Sequence, residues 1–135
     1  MSATLAVQKA IRARLVADAA VTALVPAASI LDRNSRPAPD PSIILGEDQA
    51  VDGGFVDRGP LRVYSTLHLW KAEPGLVGVK EIAGAIRAAI RAGRLEPIDG
   101  FAFGDAFVSN ERFLRDPDGE TAHGVVTIET LVSEA

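Results

Sequence analysis

The sequence predicts an α+β fold, a mostly antiparallel sheet of about four to five strands packed with two main helices. Three observations carry this. Residues 61–70 (LRVYSTLHLW) alternate closely, with the period of a half-buried strand. Residues 3–25 and 77–92 repeat apolar positions at helical spacing. The order helix, strands, helix, strands lacks the regular βαβ alternation of a parallel sheet.

The elements follow in order. Residues 3–25 are rich in helix formers, with Leu5, Gln8, Ile11, Leu15 and Ala19 on one spacing and Lys9, Arg12 and Arg14 elsewhere on the wheel. Asp18 is placed to cap a short second turn before Pro26 stops it. Residues 29–33 (SILDR) predict a short strand. The three prolines of residues 34–41 (NSRPAPDP) exclude a sheet interior and predict an extended loop. Residues 42–46 (SIILG) are β-prone, and residues 47–60 (EDQAVDGGFVDRGP) read as a long polar connection.

In 61–70, Leu61, Val63, Ser65, Leu67 and Leu69 share one face; Arg62, Tyr64, Thr66, His68 and Trp70 share the other. A turn over 71–76 leads to a helix over 77–92. Val79, Ile82, Ala83, Ile86 and Ile90 form its apolar stripe, and Gly93 is its stop. Gly84 costs about 1 kcal/mol against alanine in a helix interior, and close packing on the sheet is the expected return. Strands over 105–115 and 121–132, joined by DPDGE, are expected to pair antiparallel.

Composition narrows the chemistry. The 135 residues fit one domain, 1–135, and 47% apolar with 24% charged residues is a globular balance. No cysteine is present, which excludes disulfides, thiolate metal sites and a cysteine nucleophile. A cysteine-free chain suits a cytoplasmic origin. Charges interrupt MSATLAVQKAIRARL, so no secretory signal is legible, and no stretch approaches the ~20 apolar residues of a membrane span. The net charge of −4 gives no global attraction to nucleic acid. Arginine outnumbers lysine and alanine is abundant, as in a GC-rich genome.

The densest carboxylate cluster is RFLRDPDGETAHG, where Asp116, Asp118 and Glu120 precede His123. A calcium loop with Gly119 at its sixth position places Leu114 and Val125 where its first and last ligands belong, and the ligand set fails. Turn chemistry explains the same residues. Pro117 presets φ for a type I turn begun by Asp116, Asp118 suits the next position, and Gly119 accepts the left-handed conformation that closes a G1-type bulge. Zinc needs about four ligands, and His68 and His123 stand alone and far apart. No phosphate loop, dinucleotide fingerprint or nucleophile elbow occurs. The residues thus predict no catalytic site, cofactor or metal.

Arg62, Tyr64, His68 and Trp70 are the candidate subunit interface. Tyr64 and Trp70 are the sole Tyr and Trp of the chain, and Arg, Tyr and Trp are enriched at interface hot spots. A solvated face, or burial of Trp70 against a helix, accounts for the same residues.

In sequence order, AVQKAIRARLVADAAVTALV, ILDR, PSIILGED, STLHLWKAEPGLVGVKEIAGAIRAAI and RFLRDPDGETAHGVVTIETLV resemble the tail-completion or tail-terminator (head–tail joining) proteins of long-tailed phages and phage-like particles. The resemblance covers residues 3–132, and its most telling pieces are the strand ending in Trp70 and the segment from Arg112 to Gly124. It implies a homohexameric ring that caps the tail tube at its head-proximal end and stops tube polymerisation. The implied partners are the tail tube protein, the head-completion (stopper) protein and the tape-measure protein, with DNA passing through the lumen without specific binding. It implies no catalytic residues, no cofactor and no membrane. The implied location is the tail–head junction of a virion or phage-like particle assembled in the bacterial cytoplasm, and the composition also suits a gene transfer agent or prophage. A small metal-dependent hydrolase using Asp116, Asp118 and His123, or a cytoplasmic adaptor domain, are the alternative readings.

Overall fold

In the computed structural model, which describes residues 2–33, 38–52 and 60–134, Asp18 divides the N-terminal segment in two. Its backbone N–H closes α1 (Ala3–Ala17) on Leu15 O, and its carboxylate accepts from Val21 N–H at 3.0 Å to start α2 (Ala19–Leu24). The buried stripe of α1 is Ala6, Val7, Ala10, Ile11 and Leu15, whereas Leu5 and Ala19 are exposed. The expected stripe is thus rotated. Apolar residues surround much of this helix, so spacing alone does not select a face, and the small Ala6 and Ala10 let it approach the sheet.

The next strands are β1 (Ile30–Leu31), β2 (Ser42–Asp52) and β3 (Leu61–Ala72). Residues 47–52, expected in a loop, instead continue β2, while 53–59 lie outside the described residues. EDQAVD has no alternation of its own. It is held by pairing with the alternating strand, from Asp48↔Ser65 to Asp52↔Leu61. Residues 46–52 are exposed throughout, so this half of β2 stands clear of the core. Of the proline-rich stretch, 34–37 lie outside the described residues and 38–41 form no regular element.

After α3 (Val77–Arg91) come β4 (Phe101–Arg115) and β5 (Thr121–Glu134), both longer than their sequence pattern suggested. The sheet order is β1-β2-β3-β5-β4, antiparallel except for β1 with β2. Val63, Leu67 and Leu69 of β3 and Val126, Ile128 and Val132 of β5 pack in one cluster with Ile11 and Leu15 of α1 and Ile82, Ile86 and Ile90 of α3. Each such buried aliphatic side chain contributes about 2 kcal/mol by leaving water. The helices therefore cover one face of the sheet, and among the described residues no element covers the other.

Two charged side chains secure α3. Glu73 accepts from the N–H groups of Gly78 (2.8 Å) and Val79 (3.0 Å) at its start. At its end, Arg14 of α1 donates to the carbonyls of Ala89 (2.8 Å), Gly93 (3.1 Å) and Arg94 (2.6 Å). Gly84 does not face the sheet, contrary to expectation. It is exposed, and a Cβ there would meet nothing within 4 Å.

Two stability changes follow. Gly84→Ala should raise the unfolding free energy by about 1 kcal/mol, because it relieves backbone entropy with no steric cost. Arg14→Ala should lower it by about 2 kcal/mol, since three carbonyls lose a charged donor. Urea unfolding followed by circular dichroism measures both.

Candidate functional site

The uncovered face of β3 carries Arg62, Tyr64, Thr66, His68 and Trp70, each half-buried. Burial of Trp70 against a helix is thereby ruled out, since the helices lie on the opposite face. Arg62 already has a partner, with its Nη1 2.6 Å from Glu129 Oε1 of β5.

β3 and β5 pair without interruption, and this sets Trp70 directly opposite His123. Their rings stack 3.8 Å apart and within 8° of parallel. His68 lies diagonally across, and its Nδ1 is 2.9 Å from His123 Nε2. The two histidines that stand far apart in sequence are therefore neighbours. Their separation is closed by the sheet register.

A β-bulge supplies a third member. Between the pairs Leu45↔Leu67 and Asp48↔Ser65, β2 has Gly46 and Glu47 where β3 has only Thr66. Glu47 Oε1 thereby reaches His68 Nε2 at 2.7 Å. Gly46 leaves room for the imidazole, since a Cβ there would stand 2.8 Å from His68 Cδ2. Glu47, His68, His123 and Trp70 make one continuous file across three strands. With Asp32 and Arg33 they line an open bowl of about 610 Å³.

The file tunes its own ionisation. The hydrogen bond from His68 holds the Glu47 carboxyl below its ordinary range. Burial, reinforced by the nearby His68 and Arg112, lowers the proton affinity of His123, against Asp116 and Glu47, which raise it. The arrangement can hold, share or pass a proton. Among the described residues no group of three His, Asp or Glu side chains could hold a metal, and the file is linear and does not converge on a point.

Asp116, Pro117, Asp118 and Gly119 form the turn between β4 and β5. Gly119 N–H donates to Asp116 O at 2.9 Å, Gly119 sits at φ 74°, and Asp116 N–H donates to Thr121 O at 2.9 Å. Asp118 Oδ1 accepts from Glu120 N–H (2.8 Å) and Thr121 N–H (2.9 Å), and Oδ2 accepts from the Thr121 hydroxyl (2.8 Å). These bonds, the Glu120 N–H foremost, lower the Asp118 pKa. Both oxygens thus serve the turn, and the structure gives Asp118 no contact with His123.

Sequence reading missed Glu47 and the pairing of His123 with Trp70. A long-range register was needed for the second, and the polar run EDQAVD gave no strand signal for the first.

Residues 9–133 match the family described as "Tail completion protein gp17". Among curated proteins, no sequence matches the chain. A chain from the virion of a native gene transfer agent particle is similar in structure, with a TM-score of 0.86, 18% identity and 98% of each chain covered. The bacteriophage SPP1 gp17 protein is also similar, with a TM-score of 0.64, 18% identity, and 96% of this chain and 90% of that one covered. At these identities the likeness is one of fold.

The turn bonding predicts an asymmetry. Asp118→Ala should lower the melting temperature more than Asp116→Ala, whose side chain makes one 3.4 Å contact to Asp118 N–H. Differential scanning calorimetry measures it, and equal shifts would mean that the Asp118 bonds do not support the hairpin.

Proposed function

This chain belongs to the tail-completion protein gp17 family, and we propose that it is a single-domain structural component of a phage-like tail, acting through assembly and not through catalysis. Six copies form a ring at the head-proximal end of the tail tube. The ring blocks addition of further tube protein and joins the tail to the head-completion protein, and DNA passes through its lumen. The observation that carries this reading is the family match over residues 9–133.

The fold supplies surfaces suited to the task. Heterologous contacts around a six-fold axis close a ring. β4 is a sheet edge along its length, and β1 covers only Ile43 and Ile44 of β2, so residues 45–51 have no strand on their outer side among the described residues. Two open edges on opposite sides of the sheet suit continuation from one subunit to the next. A neighbour that pairs on the β2 edge and also overlaps the uncovered face of the sheet extends the seam over Arg62, Tyr64, His68 and Trp70 of β3, one strand in from that edge. The exposed half of β2 is the arm that reaches a neighbouring ring, of tube or of head-completion protein. Six copies carry six times −4, or −24, and the part of that charge facing the lumen repels DNA phosphates and lets the duplex slide.

The test is assembly. Electron microscopy of the purified protein or of particles should show six-fold rings of six times 14.2 kDa, about 85 kDa, or a ring at the tail–head junction. Trp70→Ala should abolish rings while its circular dichroism stays native. Particles whose tail–head junction lacks this chain would overturn the role. Rings that survive in a folded Trp70→Ala variant would remove Trp70 from the seam.

A further inference from the structure

The Glu47–His68–His123 file has a fixed capacity for protons. An ionised carboxylate only accepts hydrogen bonds, so His68 carries a hydrogen on Nε2, which faces Glu47 Oε1 at 2.7 Å. In the uncharged dyad, Nδ1 of His68 is then a lone pair, and His123 donates to it from Nε2 across 2.9 Å. One added proton is accommodated. His68 donates from both nitrogens, while His123 takes the Nδ1–H tautomer and accepts at Nε2. A second proton is not. The facing nitrogens would both bear hydrogens, and two cations would stand with ring centroids 5.1 Å apart.

The point of failure is fixed by the outer partners. His68 is tied to Glu47, and His123 lies face to face with Trp70, where an imidazolium gains a cation–π attraction. The weak link is therefore the bond between the two histidines. We propose that this file is a pH-sensitive latch across β2, β3 and β5, closed with no proton or one and parted between His68 and His123 by a second. Its bearing on assembly rests on the seam proposed above, whereas the titration itself does not. In acid the seam carries two separated cations, and ring contacts through this face weaken.

The surrounding charges set when this happens. Glu47 on β2 and Asp116 in the β4–β5 turn favour charging of His123, and Arg112 on β4 and His68 on β3 oppose it. Asp32 and Arg33, beyond β1, line the same bowl with opposite signs. Burial is the largest influence and holds His123 below its ordinary value. A histidine lowered in the fold stabilises the protein fully above its unfolded pKa of about 6.5, and this stability is lost as pH falls through the lower folded value.

The chain has two histidines and one tryptophan, so each signal has a single source. NMR of the imidazole protons against pH should show the two protons entering at separate midpoints, with Trp70 fluorescence falling along the second. His68→Gln should raise the His123 midpoint, because a like charge is removed. His123→Phe should keep the stack and abolish the fluorescence titration. Coincident midpoints, unmoved by His68→Gln in a folded protein, would overturn the latch. Ring assembly should fail below the second midpoint in the native chain and persist there in His123→Phe. A titration as expected with pH-independent assembly would instead overturn the seam, leaving the latch in place.

Discussion

The uninterrupted pairing of β3 with β5, from Leu61↔Val132 to Ala72↔Thr121, is the constraint on which the rest depends. It is a long-range contact, and side chains alternate strictly across it, so a slip of one residue would exchange the two faces. In the observed register Val63, Leu67 and Leu69 meet Val126 and Ile128 beneath the helices. The same register puts Trp70 on His123 and His68 within reach of it. Core and surface file are thus two results of one alignment.

That alignment explains what the sequence could and could not disclose. The alternation of LRVYSTLHLW correctly assigned Leu61 through Trp70 to two faces, since a strand buried on one side must alternate. The stripe of α3 was legible for the same reason, as Val79, Ile82, Ala83, Ile86 and Ile90 are all buried. Asp18 and DPDG were legible because their chemistry is local. The distal half of β2 was not, because its pairing with β3 supports it while its own residues are exposed on both sides. The outward direction of Gly84 follows from the spacing of the α3 stripe, since it falls two residues from both Ile82 and Ile86 and so lies off the apolar positions. The site needed more still, since His68 and Glu47 meet through a bulge and His68 and His123 through strand order.

The two helices are not independent supports. Arg14 leaves α1 and grips three carbonyls at the exit of α3, and Glu73 holds the entry of α3 from the end of β3. Helix α3 is thereby tied at one end to the other helix and at the other to the central strand. The helical layer and the sheet form a braced slab, and its second face is free for contacts that need a firm backing.

The bulge at Gly46 and Glu47 has a consequence for how this surface tolerates change in chain length. Deletion of Glu47 would leave Gly46 alone opposite Thr66 and restore an ordinary ladder. Leu45 would still face Leu67, and Asp48 would still face Ser65. The fold would absorb the loss, while the carboxylate that reaches His68 would be gone. The contact is therefore separable from the scaffold, and a lineage could gain or discard it by one codon without rebuilding the sheet.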